Sequence, residues 1–180
     1  GLLSESVPYL GLYGACSNMA EGLLIASLIV DSGHYKRVAC STSSHFAASE
    51  RQFRFPLEYG CQRPPTSQNT VTGAGTFILS NTTENGVYIN EALPGIITDM
   101  GIKDANNMGA AMAGAALDTL ERYFTSSDIS PEEFDMIITG DLGKEGSEIL
   151  KELAAVKNIQ LNDNYYDCGN LIYNPDKQDV

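Results

Sequence analysis

Cys16 is the residue whose neighbours best equip it for chemistry. It follows Gly14-Ala15 and precedes Ser17-Asn18 at the mouth of an expected helix, where unpaired backbone N–H groups and the positive end of the macrodipole favour a thiolate. That is a nucleophile's seat. The plainer reading is a small residue packed in a tight elbow, as free cysteines usually are. The amides of Cys16 and Ser17 also offer an anion site. A nucleophilic thiol needs a base, and the chain has 2 histidines. His34, in Gly33-His34-Tyr35-Lys36 past a helix end, reads as a surface residue favoured by the negative end of the dipole. His45 begins a long loop and either faces a pocket or is a hydrogen-bonded structural histidine.

The other cysteines, Cys40, Cys61 and Cys168, lie far apart without a Cys-x-x-Cys pair, which fits neither a zinc site nor a disulfide scaffold and points to a reduced compartment. No metal site is expected. Asp163, Asp167 and Asp176 are too irregular for an EF-hand loop and read as solvated turn residues. Gly140 to Gly146 precedes a helix, but Lys144 is followed by Glu145, so no Walker lysine-serine pair supports nucleotide binding.

These residues need elements to hold them. Tyr9 to Tyr13 reads as a short strand; Met19, Leu23, Leu24, Ser27 and Leu28 then recur at helical spacing up to Asp31, with Gly33 as the stop and Asn18 and Glu21 as a loose capping pair. Arg37 to Thr42 reads as a buried strand. The polar, aromatic, proline-bearing segment Ser43 to Asn69 is too long for a simple connection. Val71 to Leu79 and Val87 to Leu93, separated by Asn85-Gly86, predict an antiparallel hairpin. Asn107 to Phe124 is rich in small residues and predicts an interior helix. Ser130-Pro131-Glu132-Glu133 marks a short helical turn before a strand Asp135 to Thr139, and a helix Ser147 to Val156 follows with Lys151 and Glu152 on its solvent side. The order indicates a mixed α/β domain.

Composition limits the partners. The chain has 180 residues, 43% of them apolar and 19% charged, enough for one domain with a real core. Its net charge of -12 and scattered basic residues exclude the cationic stripe that nucleic acid requires. The longest apolar stretch, Gly22 to Val30, is far short of the roughly 20 residues that a bilayer span needs. No signal-peptide pattern opens the sequence. The chain starts at Gly1 and runs straight into an apolar segment, so further chain upstream is expected.

Gly11-Leu12-Tyr13-Gly14-Ala15-Cys16-Ser17-Asn18-Met19-Ala20-Glu21 resembles the strand, elbow and buried helix that carry the nucleophilic cysteine of thiolases and ketoacyl synthases. Thr42-Ser43-Ser44-His45-Phe46, Glu50-Arg51-Gln52-Phe53-Arg54-Phe55-Pro56, Gln62-Arg63-Pro64-Pro65-Thr66 and Thr70-Val71-Thr72-Gly73-Ala74-Gly75 resemble more narrowly the stage V sporulation protein AD family of spore-forming bacteria. Asn107 to Ala113 and Thr139 to Gly143 extend the likeness from Val7 to Val180. The resemblance implies a thiolase-like, five-layered αβαβα fold of two similar halves. Residues 1–95 would end the first half and residues 96–180 would begin the second, with parts of the full protein lying beyond both ends.

The resemblance also implies a function without condensation chemistry. Where ketoacyl synthases carry a histidine after the strand of the second half, Ile137 to Gly143 has none, and Asp141 occupies that neighbourhood. An unpaired carboxylate near a thiol opposes its ionisation. The expected activity is binding of dipicolinic acid for uptake into the developing spore, with acyl transfer through Cys16 as the alternative. Dipicolinate is a flat ring with two carboxylates and needs an apolar slot rimmed by donors. Arg51 and Arg54, alternating with Phe53 and Phe55, suit it because the guanidinium fork binds both carboxylate oxygens; alternatively these arginines pair with Glu50 or Glu58. The expected ligand residues are therefore Cys16, Ser17, His45, Arg51, Phe53, Arg54 and Asp141. No cofactor is expected; calcium would enter only as part of a ligand chelate that an acidic group such as Asp141 could contact. Expected partners are membrane-embedded proteins of the same sporulation system and a second copy of the chain, and the expected location is peripheral to the inner membrane of the spore.

Overall fold

The computed structural model describes residues 6–44, 66, 73–82, 86–172 and 174. They form a mixed α/β structure in two compact units, one drawn from Gly1–Ser43 and Gly73–Pro94, the other from Ser44–Thr72 and Gly95–Val180.

In the first unit a single 3-10 turn, Ala15–Ser17, leads directly into helix α1, Asn18–Asp31. Gly33 ends the helix at φ +76°, a left-handed conformation that costs a glycine little. Strand β1, Arg37–Ser44, pairs with β2, Gly73–Ser80, and the hydroxyls of Ser41 and Thr76 meet across the pair at 2.8 Å. The helix lies close to the sheet because position 22 is glycine: a Cβ there would collide with the Cys40 sulfur. Gly22, Ala26 and Val30 form the buried stripe of α1.

Three sequence expectations for this unit do not hold. Residues 9–13 form no strand; Tyr9, Leu10 and Tyr13 are exposed, and apolar composition without an edge to pair with makes no strand. β1 is not buried, since Cys40 alone of its residues is enclosed. The expected hairpin is absent because β2 takes β1 as its neighbour, while residues 86–93 are not a strand and Val87, Tyr88 and Ile89 are exposed. Composition marked both segments as apolar but carried no information about which strand supplied a partner.

The second unit holds the larger core. Helix α2, Met108–Ser126, starts from Asn107, whose side-chain oxygen accepts the Ala110 amide at 3.0 Å. It packs on α3, Gly143–Val156. Before the short strand β3, Ile137–Thr139, Ser130 and Glu133 form the expected capping box around Pro131. β3 runs parallel to β4, Tyr165–Asp167, with Thr139 opposite Asp167, and α3 is the crossover between them. A short helix α4, Cys168–Ile172, follows at once.

Ala113, Leu117, Ile137, Leu142, Leu150, Ala154, Ile159 and Tyr165 make one buried cluster, so the small-residue face of α2 is interior as its composition predicts. Tyr123, Phe124 and Phe134 close one side of it edge to face, with ring centroids 5.4 to 6.0 Å apart. Lys151 and Glu152 are exposed as expected, although the Lys151 ammonium also lies 5.4 Å from the centre of the Tyr165 ring. No described helix is long and apolar enough to cross a membrane.

Candidate functional site

The first unit presents Cys16 as the sequence suggested, exposed in the turn just ahead of α1. Ala15 stands at φ +50°, a region a residue with a Cβ enters only at a cost, so the elbow is a strained display of the thiol. The elbow's own polar groups are largely matched to one another. The Ser17 amide donates to the Gly14 carbonyl at 3.0 Å, so an anion seeking that amide would have to share it. The Gly14 amide donates to the Asn18 side-chain oxygen. Ser17 Oγ reaches the Gly14 carbonyl at 2.7 Å and also the Glu21 carboxylate. Asn18 and Glu21 thus serve the elbow with their side chains instead of forming the capping pair anticipated between them. His34 is exposed past the end of α1, as expected.

In the second unit, Asp141 lies in the turn between β3 and α3, exposed, at φ +42°. The Asp167 side chain braces that turn. Asp167, at the end of β4, is 3% exposed and accepts hydrogen bonds on both oxygens. Oδ1 takes the Thr139 hydroxyl at 2.9 Å and the Leu142 amide at 2.8 Å; Oδ2 takes the amides of Gly143 at 3.1 Å, Gly169 at 3.1 Å and Asn170 at 3.3 Å. All of these partners are donors, which only a carboxylate can satisfy. The carboxylate therefore seats the N-termini of α3 and α4 together, where helix dipoles favour negative charge. Thr139 gives its proton to Asp167, so the Tyr165 hydroxyl, 2.8 Å from Thr139, donates in turn.

Asp167 is not the solvated turn residue that its spacing suggested, whereas Asp163 is exposed and Asp176 lies outside the described residues. A local signal was present: aspartate immediately before Cys168-Gly169-Asn170 is an N-cap pattern, and the amides of Gly169 and Asn170 are those an N-cap side chain reaches.

Cys168 sits beside this hub. Burial pushes its thiol pKa up, and the negative charges of Asp141 and Asp167 push it further in the same direction. Cys40 is likewise raised by burial. Tyr165 is raised mainly by burial, against the opposing effect of its hydrogen bonds to Thr139 and Ser147. The second unit therefore keeps the Cys168 thiol protonated, suited to donate a weak hydrogen bond and ill suited to attack a substrate.

Among the expected ligand residues, Cys16 and Ser17 are neighbours in the elbow and Asp141 belongs to the other unit. His45, Arg51, Phe53 and Arg54 lie outside the described residues. No group of three or more His, Cys, Asp or Glu able to hold a metal occurs among the described residues.

Comparison with known proteins gives a consistent result. The family model for stage V sporulation protein AD matches residues 2–180. A curated relative, stage V sporulation protein AD of Bacillus subtilis (strain 168), is 43% identical over 172 residues, which cover 96% of this chain. The chain spans about half, 51%, of that relative's length.

Proposed function

Because this chain belongs to the stage V sporulation protein AD family, we propose that it is part of a protein that binds dipicolinic acid, free or as its calcium chelate, in uptake of that ligand by the developing spore. The observation that carries the reading is the state of the turn after β3. Ketoacyl synthases carry a histidine there, and this sequence has Asp141 instead, while the nearby Cys168 thiol is held in its neutral form by burial and by two carboxylates. Such a turn serves recognition better than proton transfer. On the same reading the protein works beside membrane-embedded sporulation proteins at the inner membrane of the spore, as a thiolase-like fold without catalysis, whose partners include a second copy.

The deciding experiment is calorimetric titration of the full-length protein with dipicolinate, with and without calcium, against Cys16→Ala, Arg51→Ala and Asp141→Ala variants. Saturable binding weakened by these changes is expected; absence of binding by the unaltered protein sinks the proposal. One observation favours a second reading, acyl transfer through Cys16: the strained Ala15 elbow leaves the thiol exposed. Labelling of Cys16 by an acyl-coenzyme A, lost in Cys16→Ala, would support that reading instead.

A further inference from the structure

Met100 connects an exposed stretch of chain to helix α2. Residues 95–106 form neither helix nor strand, and all but Thr98 are exposed. The hydrogen bonds described within them are local: the Thr98 hydroxyl donates to the Ile96 carbonyl at 3.5 Å, the Gly101 amide to Asp99 Oδ1 at 2.8 Å and the Asn106 amide to Asp104 Oδ1 at 2.9 Å. These bonds shape the segment without joining it to α2. Gly101, at φ +70°, closes a tight turn with Asp99, and the turn lays the Met100 side chain over Gly114, a buried glycine of α2. A Cβ on Gly114 would overlap the Met100 Cγ and stand 3.0 Å from its sulfur, so the space left by the missing side chain is the seat of the thioether. Met100 is nonetheless 49% exposed, within reach of a dissolved oxidant. A thioether in such a seat holds by apolar contact alone.

We propose that Met100 is a site of reversible oxidation, and that its conversion to the sulfoxide releases residues 95–106 from α2. A peroxide transfers one oxygen to the sulfur: the O–O bond breaks, an S–O bond forms, the sulfur is oxidised by two electrons and hydrogen peroxide is reduced to water. The new oxygen needs hydrogen-bond donors, and the amides around Gly114, in the middle of α2, are already used by the helix itself. The oxidised side chain therefore exchanges its seat for water. This clasp is independent of the dipicolinate reading above.

The test treats the full-length protein with dilute hydrogen peroxide, maps each methionine by peptide mass and follows hydrogen–deuterium exchange. Oxidation of Met100 is expected to speed exchange in residues 95–106 by about threefold to tenfold, and methionine sulfoxide reductase should restore the original rate. Met100→Leu, which fills the seat without an oxidisable sulfur, should exchange like the untreated protein and ignore peroxide; Met136→Leu, which removes another exposed methionine, should leave the response intact. Gly114→Ala should exchange fast before any oxidant is added. A Met100 that stays reduced while other methionines oxidise, an unchanged exchange rate once it is the sulfoxide, or a Met100→Leu variant that still responds overturns the proposal. Reversal by the reductase is read on the unaltered protein, so the decision does not depend on any variant folding.

Discussion

Gly109 of α2 and Gly146 of α3 meet backbone to backbone: a Cβ added to Gly109 would lie 3.2 Å from the Gly146 α-carbon, and one added to Gly146 would lie 2.8 Å from the Gly109 carbonyl oxygen. Backbone cannot swing aside as a side chain can. The Gly109 Cβ would also stand 2.5 Å from the Leu142 carbonyl oxygen, so either substitution must part the two helices. Gly109→Ala and Gly146→Ala should each cost about 1 to 3 kcal/mol, read as a lower midpoint in urea unfolding. A thermal or chemical midpoint equal to that of the unaltered chain would show that the crossing is loose.

Asp167→Asn should be far from silent despite its matching shape. It places an amide NH₂ against a ring of donors, leaving buried N–H groups without an acceptor. The expected loss is about 2 to 4 kcal/mol in urea unfolding, with Asp167→Ala at least as damaging. Thr139→Val, which removes one donor and leaves the amides matched, should cost less.

Thiol reactivity should separate the cysteines. Cys16 is exposed, while Cys40 is buried and Cys168 half-buried, both with raised pKa values. Alkylation at neutral pH, mapped by peptide mass, should modify Cys16 at least about tenfold faster than Cys40 and Cys168, and the difference should vanish in denaturant. Faster modification of Cys168 than of Cys16 would contradict the account of the second unit.

Stability should fall on the alkaline side. Cys40, Cys168 and Tyr165 all hold their protons more tightly folded than unfolded. Above the unfolded thiol pKa, about 8.5, the native state therefore binds more protons than the unfolded chain, and unfolding free energy decreases as pH rises. Their contribution is complete below that pH and is lost as pH climbs through the raised values. Urea midpoints measured from neutral to alkaline pH should decline, and Cys168→Ser should flatten the early part of the decline.

Local patterns were legible where local physics decides. The periodicity of α1, its Gly33 stop, the capping box at Ser130 and the interior character of α2 follow from neighbours a few residues apart. The start of α3 and the pairing of β2 turned on partners distant in sequence. The start of α3 at Gly143, ahead of the expected Ser147, depends on a carboxylate 24 residues further on. The pairing of β2 with β1 depends on a strand beyond the long loop, and turn chemistry around Gly86 could not outweigh it. At the site, Cys16 and its elbow were legible because a strained turn into a helix has a short signature. The Asp167 hub was not, since its five donors come from Thr139, Leu142, Gly143, Gly169 and Asn170 on both sides of α3.

That one carboxylate joins two chain segments has a dynamic consequence. The amides of Leu142, Gly143, Gly169 and Asn170 share Asp167 as an acceptor group, so unseating that one side chain releases all four. In hydrogen–deuterium exchange they should open as one cooperative event, and the start of α3 and the start of α4 would loosen together, not in turn.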